Sequence, residues 1–91
     1  MKKFYVHLPS LTGIFMMDCS HANWGDLKKK ELQERDIQEA TRKGLEIFEK
    51  HRKVELGYVD HRFNKKEKNK LRKSFPKEIE IIEEITHRIR V

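Results

Sequence analysis

The sequence predicts a small α+β domain in which an antiparallel sheet of three strands, or of four, packs against a long helix. Three observations predict it: apolar residues alternate near the start of the chain, recur every three or four positions through its middle, and cluster again near its end. With 91 residues the chain is expected to form one domain, 1–91, around one core. A short basic helix and a C-terminal helix complete the predicted order, β-β-α-β-α-α.

A β-hairpin is predicted at the start of the chain. Phe4, Val6 and Leu8 alternate with polar or amphipathic neighbours, which is the period of a half-buried strand. The segment 9–13 then supplies proline, serine, threonine and glycine, which are residues typical of turns. The apolar run 14–17 follows and is predicted to be the second, central strand.

A long helix is predicted between Asp26 and Lys53, with a start nearer Glu31 as the alternative. Its apolar stripe consists of Ile37, Ala40, Thr41, Gly44, Leu45 and Phe48. Gly44 inside a helix costs about 1 kcal/mol relative to alanine, so it predicts either close backbone packing or a local weak point. A third strand is predicted over 54–59, returning along the sheet.

A short basic helix is predicted from about Lys65 to Lys73. Asn64 and Glu67 have the spacing of a capping box, in which the amide oxygen accepts a free backbone N–H. Pro76 is expected to end this helix. The tail, 76–91, fits both strand alternation and a helical wheel; we predict a helix because acids precede bases and five isoleucines share about half the circumference. These are Ile79, Ile81, Ile82, Ile85 and Ile89.

Positive charge is concentrated in one segment. The net charge is +6, from 21 basic and 15 acidic residues, yet the segment 62–77 alone carries eight basic residues and one acid, a net +7. Such a cluster attracts nucleic-acid phosphates, with a solvated basic helix as the alternative interpretation. The predicted nucleic-acid-binding residues are Arg62, Lys65, Lys66, Lys68, Lys70, Arg72, Lys73 and Lys77.

The favoured function is a non-enzymatic nucleic-acid-binding or nucleic-acid-associated accessory protein, with DNA and RNA both open as ligands. Four aromatic residues are candidates for base stacking: Trp24, Tyr58, Phe63 and Phe75. For Trp24 the favoured interpretation is structural, as a cap on the core where the long helix begins. The alternative is a protein-interaction regulator or inhibitor that docks on a larger complex, or that homodimerises through a sheet edge or the isoleucine-rich tail. Regulation through protein contact is therefore kept as the second hypothesis.

Catalytic and metal chemistry are weakly indicated. Cys19 and His21 would share one face of a strand. Together with Asp60 and His61 they form the one candidate zinc set. By themselves, Cys19 and His21 are a candidate Cys–His nucleophile. The sequence has no second pair of ligands at zinc spacing and no glycine motif typical of an oxyanion hole. A magnesium-dependent nuclease using Asp18, Asp60 and acids of the long helix is the minor alternative. We therefore predict no catalytic residue, metal or cofactor.

Cysteine content and the start of the chain indicate the compartment. One cysteine cannot form a disulfide within the chain, and no long apolar run follows Met1. A reducing, cytoplasmic setting without membrane contact is expected.

Overall fold

The α+β class is confirmed by a computed structural model, which describes residues 1–12 and 22–91. In that part of the chain, a four-stranded antiparallel sheet of order β2-β1-β3-β4 packs against two helices. The elements are β1 (Lys2–Thr12), β2 (Asn23–Glu34), α1 (Ile37–Arg62), α2 (Lys65–Ser74), β3 (Glu78–Ile82) and β4 (Thr86–Arg90).

The first strand is confirmed, and its three alternating apolar residues are buried. It continues to Thr12 instead of turning at Pro9. The register with β2 shifts between Leu8 and Ser10, because proline has no N–H for the ladder. The predicted second strand, 14–17, lies outside the described residues.

The start of the predicted long helix is wrong, because the segment from Asp26 to Glu34 belongs to β2. This strand pairs with β1 along nearly its whole length, from Lys2 opposite Glu34 to Thr12 opposite Asn23. Few of its residues are apolar, so no stripe would hold it as a helix against the core. Pairing with a long neighbouring strand therefore overrides local helix propensity.

The helix α1 begins at Ile37, where Asp36 is the N-cap and its carboxylate accepts the backbone N–H of Glu39 at 3.0 Å. It continues to Arg62, so the predicted strand over 54–59 is wrong. Leu56 and Val59 are buried and extend the helical stripe, whereas Val54 is 71% exposed. Helical spacing of the buried residues therefore prevails over the β-propensity of single valines.

Gly44 confirms the close-packing alternative. It is buried where α1 crosses the sheet, and a Cβ there would lie 3.0 Å from Cδ1 of Ile81, 3.4 Å from Cδ1 of Ile79 and 3.6 Å from Cγ2 of Val6. The absence of a side chain lets the helix backbone approach β1 and β3 closely.

The short basic helix is confirmed as α2. The side chain of Asn64 accepts the backbone N–H of Glu67 at 2.9 Å, as the capping pattern predicts. Leu71 is its buried residue and packs in a small cluster with Val59 and Phe63 of the α1 end. The helix therefore lies against the C-terminal end of α1.

The C-terminal helix is wrong, because the tail forms the hairpin β3–β4. Ile79 and Ile81 are buried in the core against α1, while Ile85 is 63% exposed in the turn. Across the hairpin, Glu80 faces Arg88, with Nε 3.2 Å from Oε1. Cross-strand pairs of this kind and β-branched residues favour the sheet, and pairing of β3 with β1 completes it.

Candidate nucleic-acid interface

The basic segment occupies three consecutive structural elements. Arg62 ends α1, Lys77 lies in the connection to β3, and the remaining six basic residues belong to α2. All are exposed except Lys68, which is half-buried. The predicted site residues therefore come together in one part of the surface, centred on α2.

The orientation of α2 separates its residues into an inner and an outer face. Leu71 points inward, and Lys68, one turn before it, lies at the edge of the buried side. Four lysines lie on the opposite side of the helix and are all exposed. We call this set the lysine face: Lys65, Lys66, Lys70 and Lys73.

The lysine face is not neutralised by the rest of the described chain. Among residues 1–12 and 22–91, no carboxylate forms an ion pair with any of its amino groups. The tail glutamates bind elsewhere: Glu80 contacts His7 and Arg88, and Glu83 contacts His87 at 2.8 Å. The cations of the lysine face therefore remain available to a polyanion.

Arg72 is the member of the predicted set whose charge is occupied. Its guanidinium donates to both carboxylate oxygens of Asp60, with Nε 3.0 Å from Oδ1. This hydrogen bond holds the pKa of Asp60 below its usual value and raises that of Arg72. The pair joins the end of α1 to α2 on the exposed surface.

The four aromatic candidates differ in exposure. Phe63 and Phe75 are buried in the core, so neither ring is open to a base. Tyr58 is 47% exposed on α1. Trp24 is half-buried: its Nε1 donates to the carbonyl oxygen of Leu71 at 2.9 Å, and its ring meets Phe75 edge-on at 4.8 Å between centroids.

The alternative catalytic sets receive no geometric support from the described part of the chain. Asp18, Cys19 and His21 lie outside the described residues. Asp60 is bound to Arg72, and His61 is exposed on α1. Within residues 1–12 and 22–91, no three metal-binding side chains come together.

Two features escaped the sequence reasoning. The lysines 28–30 are exposed along β2 rather than lying in a helix. His7 donates through Nδ1 to Oε2 of Glu80 at 2.8 Å, across the β1–β3 pair. The lysine triplet was visible but its element was misassigned, whereas two residues 73 positions apart give no local signal.

Neither helix of the described chain combines the length and the apolarity needed to cross a membrane. Comparison of the chain with family models, curated proteins and solved structures found no significant match.

Proposed function

We propose that the protein binds nucleic acid through the lysine face of α2, as a non-enzymatic accessory protein. The observation that carries the proposal is the alignment of four exposed lysines on one side of a capped helix whose other side is buried. Because the helix is anchored through Leu71, the four cations act as one surface.

The dimensions of α2 fit a phosphate backbone. A helix of 10 residues is about 15 Å long, which is enough to span several consecutive phosphates of a strand. Lysine is a compact point charge that contacts phosphate without reading bases. We therefore expect binding with weak sequence preference and a steep dependence on salt.

The test is a salt titration of binding by fluorescence anisotropy, with labelled strands of about 20 nucleotides between about 25 and 200 mM salt. One variant changes the lysine face to glutamine: Lys65→Gln, Lys66→Gln, Lys70→Gln and Lys73→Gln. The control removes the same charge from other exposed lysines: Lys2→Gln, Lys43→Gln, Lys50→Gln and Lys53→Gln. The two variants therefore have the same net charge.

We expect the lysine-face variant to lose about tenfold or more in affinity at low salt, with a log–log salt slope shallower by about 3. At about 100 mM salt the control should lose less than about threefold, because charges that do not contact the strand are screened over about 10 Å. Absence of binding by the wild type at low salt, or equal losses in both variants, would contradict the proposal.

The protein-interaction hypothesis stays the second candidate. It rests on apolar tail residues that a small core leaves uncovered: Ile79 and Ile81 are buried, whereas Ile85 and Val91 are exposed. Val54 and Tyr58 are also exposed, one turn apart on α1. A protein partner that stays bound after nuclease treatment in an affinity purification would support that hypothesis.

A further inference from the structure

A cavity of about 550 Å³ adjoins the lysine face. It lies between the end of the sheet and the connection from α2 to β3, and its volume is in the range of small-molecule sites. Its lining includes aromatic, basic and acidic side chains: His7, Trp24, Lys73, Phe75, Lys77 and Glu80. Lys73 belongs to both the cavity and the lysine face.

One wall of the cavity is aromatic and held in place. The indole of Trp24 is held by its hydrogen bond to the carbonyl oxygen of Leu71 and by an edge-to-face contact with Phe75. Trp24 is half-buried and lines the cavity, so part of its indole borders the cavity. An aromatic surface of this kind suits contact with a nucleobase.

The polar part of the lining is a positioned carboxylate. Glu80 accepts from His7 at 2.8 Å and from Arg88 at 3.2 Å, so each oxygen is oriented and retains a second lone pair. Nε2 of His7 is buried without a hydrogen-bond partner among the described residues. The remaining lone pairs of the Glu80 carboxylate can accept hydrogen bonds from the N–H donors of a base.

Charge places the phosphate at the mouth rather than inside. Lys73 and Lys77 are exposed at the cavity, whereas Glu78 and Glu80 also line it. The half-buried Glu80 disfavours a phosphate deep in the cavity, whereas the exposed lining charges, two lysines against Glu78, leave a net positive rim. A strand lying along the lysine face reaches this rim at Lys73.

We propose that the cavity takes one unpaired nucleotide of a strand bound on α2, with its base against Trp24 and Glu80 and its phosphate at Lys73 and Lys77. The inference rests on the proposed function and adds a preference for single strands. A duplex must unstack and unpair a base before one can enter, whereas a single strand does not. The expected preference is about tenfold or more at equal length and salt.

The test uses the fluorescence of Trp24, which is the one tryptophan of the chain. Single-stranded and duplex oligonucleotides of equal length are titrated into the full chain, with affinity measured in parallel by anisotropy. We expect single strands to bind more tightly and to change Trp24 emission, while the duplex binds through the lysine face and leaves emission unchanged.

Two variants separate the cavity from the lysine face. Ser74→Leu narrows the cavity from an exposed position and should abolish the emission change and the single-strand preference while duplex affinity stays within about twofold. Glu80→Gln removes the charge of the acceptor and should reduce the emission change and the single-strand preference. Gln33→Leu, an exposed change on β2, is the control and should retain both signals.

The outcomes are distinguishable. Equal affinity for single strands and duplex, without a change in Trp24 emission, overturns the cavity proposal but leaves binding through α2 intact. Persistence of the preference in Ser74→Leu also overturns it. If neither nucleic acid binds at low salt, both this inference and the proposed function fail.

Discussion

The guanidinium of Arg72 binds both carboxylate oxygens of Asp60, across the junction of α1 and α2. The pair is exposed, so salt and water screen it and the anchoring of α2 depends mainly on burial of Leu71. The pair therefore withholds one guanidinium from the cationic surface. This is why the binding surface that we propose is the lysine face rather than the whole basic segment.

Asp60→Asn should increase nucleic-acid affinity by about threefold and steepen the log–log salt slope by about 0.7, because Arg72 is released for one more phosphate. The matched control is Glu46→Gln, which removes one acid from an exposed position of α1. Anisotropy titrations at several salt concentrations measure both. An equal gain in the control would show that net charge alone is responsible.

Asn64→Ala should lower the free energy of unfolding by about 1 kcal/mol, because the N–H of Glu67 loses its capping acceptor. Asn69→Ala, in the exposed interior of the same helix, should leave stability unchanged or raise it by about 0.5 kcal/mol. Urea unfolding followed by circular dichroism compares the two. Similar losses in both variants would argue against the cap.

Gly44→Ala and Gly57→Ala should have opposite effects although both lie within α1. A Cβ at Gly44 would lie 3.0 Å from Cδ1 of Ile81 in a filled core. We therefore expect the free energy of unfolding of Gly44→Ala to fall by about 1 kcal/mol, even after the higher helix propensity of alanine is included. Gly57 has open space, so alanine there should gain about 0.5–1 kcal/mol. Thermal and urea unfolding should separate them clearly, and stabilisation by both would disprove the tight crossing.

The C-terminal hairpin can be tested with two isoleucines. Ile81→Ala should lower the free energy of unfolding by about 3 kcal/mol, because the side chain of Ile81 is fully buried. Ile85→Ala should change it by less than about 0.5 kcal/mol, because Ile85 lies in the exposed turn. A helical tail would bury both residues on one stripe. If chemical denaturation gave comparable losses in the free energy of unfolding for the two variants, the helix would be favoured over the hairpin.

Glu80 should make stability depend on acid pH. The hydrogen bond from His7 lowers the pKa of Glu80, partial burial opposes this, and Arg88 adds to the lowering. A lowered pKa gives stability that is fully present above the ordinary carboxyl value of 4.5 and is lost as pH falls through the lowered pKa.

The corresponding variant is Glu80→Gln. It should be less stable than the wild type by about 1 kcal/mol at neutral pH, with the difference shrinking in acid as the wild-type carboxyl protonates. Glu84→Gln, in the exposed hairpin turn, is the control. Urea unfolding at a series of pH values measures the difference, and a constant gap down to acid pH would contradict the assignment.

Several parts of the fold were predictable because their signals are local. Alternation predicted β1, the Asn64 cap predicted α2, and the long apolar stripe predicted the middle of α1. The start of α1 also had a local signal that was missed, since Asp36 and Glu39 have the spacing of a capping box. Caps and periodicity involve residues within a few positions of each other, so sequence alone reveals them.

The sequence by itself determined where the cations concentrate, that a capped helix carries most of them, and that Gly44 sits at a close contact or a weak point. Only the tertiary structure decided that β2 is a strand, that the tail is a hairpin, and that His7 meets Glu80. Strand pairing and side-chain contacts depend on partners far along the chain. The same lysines and isoleucines are compatible with either element until those partners are in place.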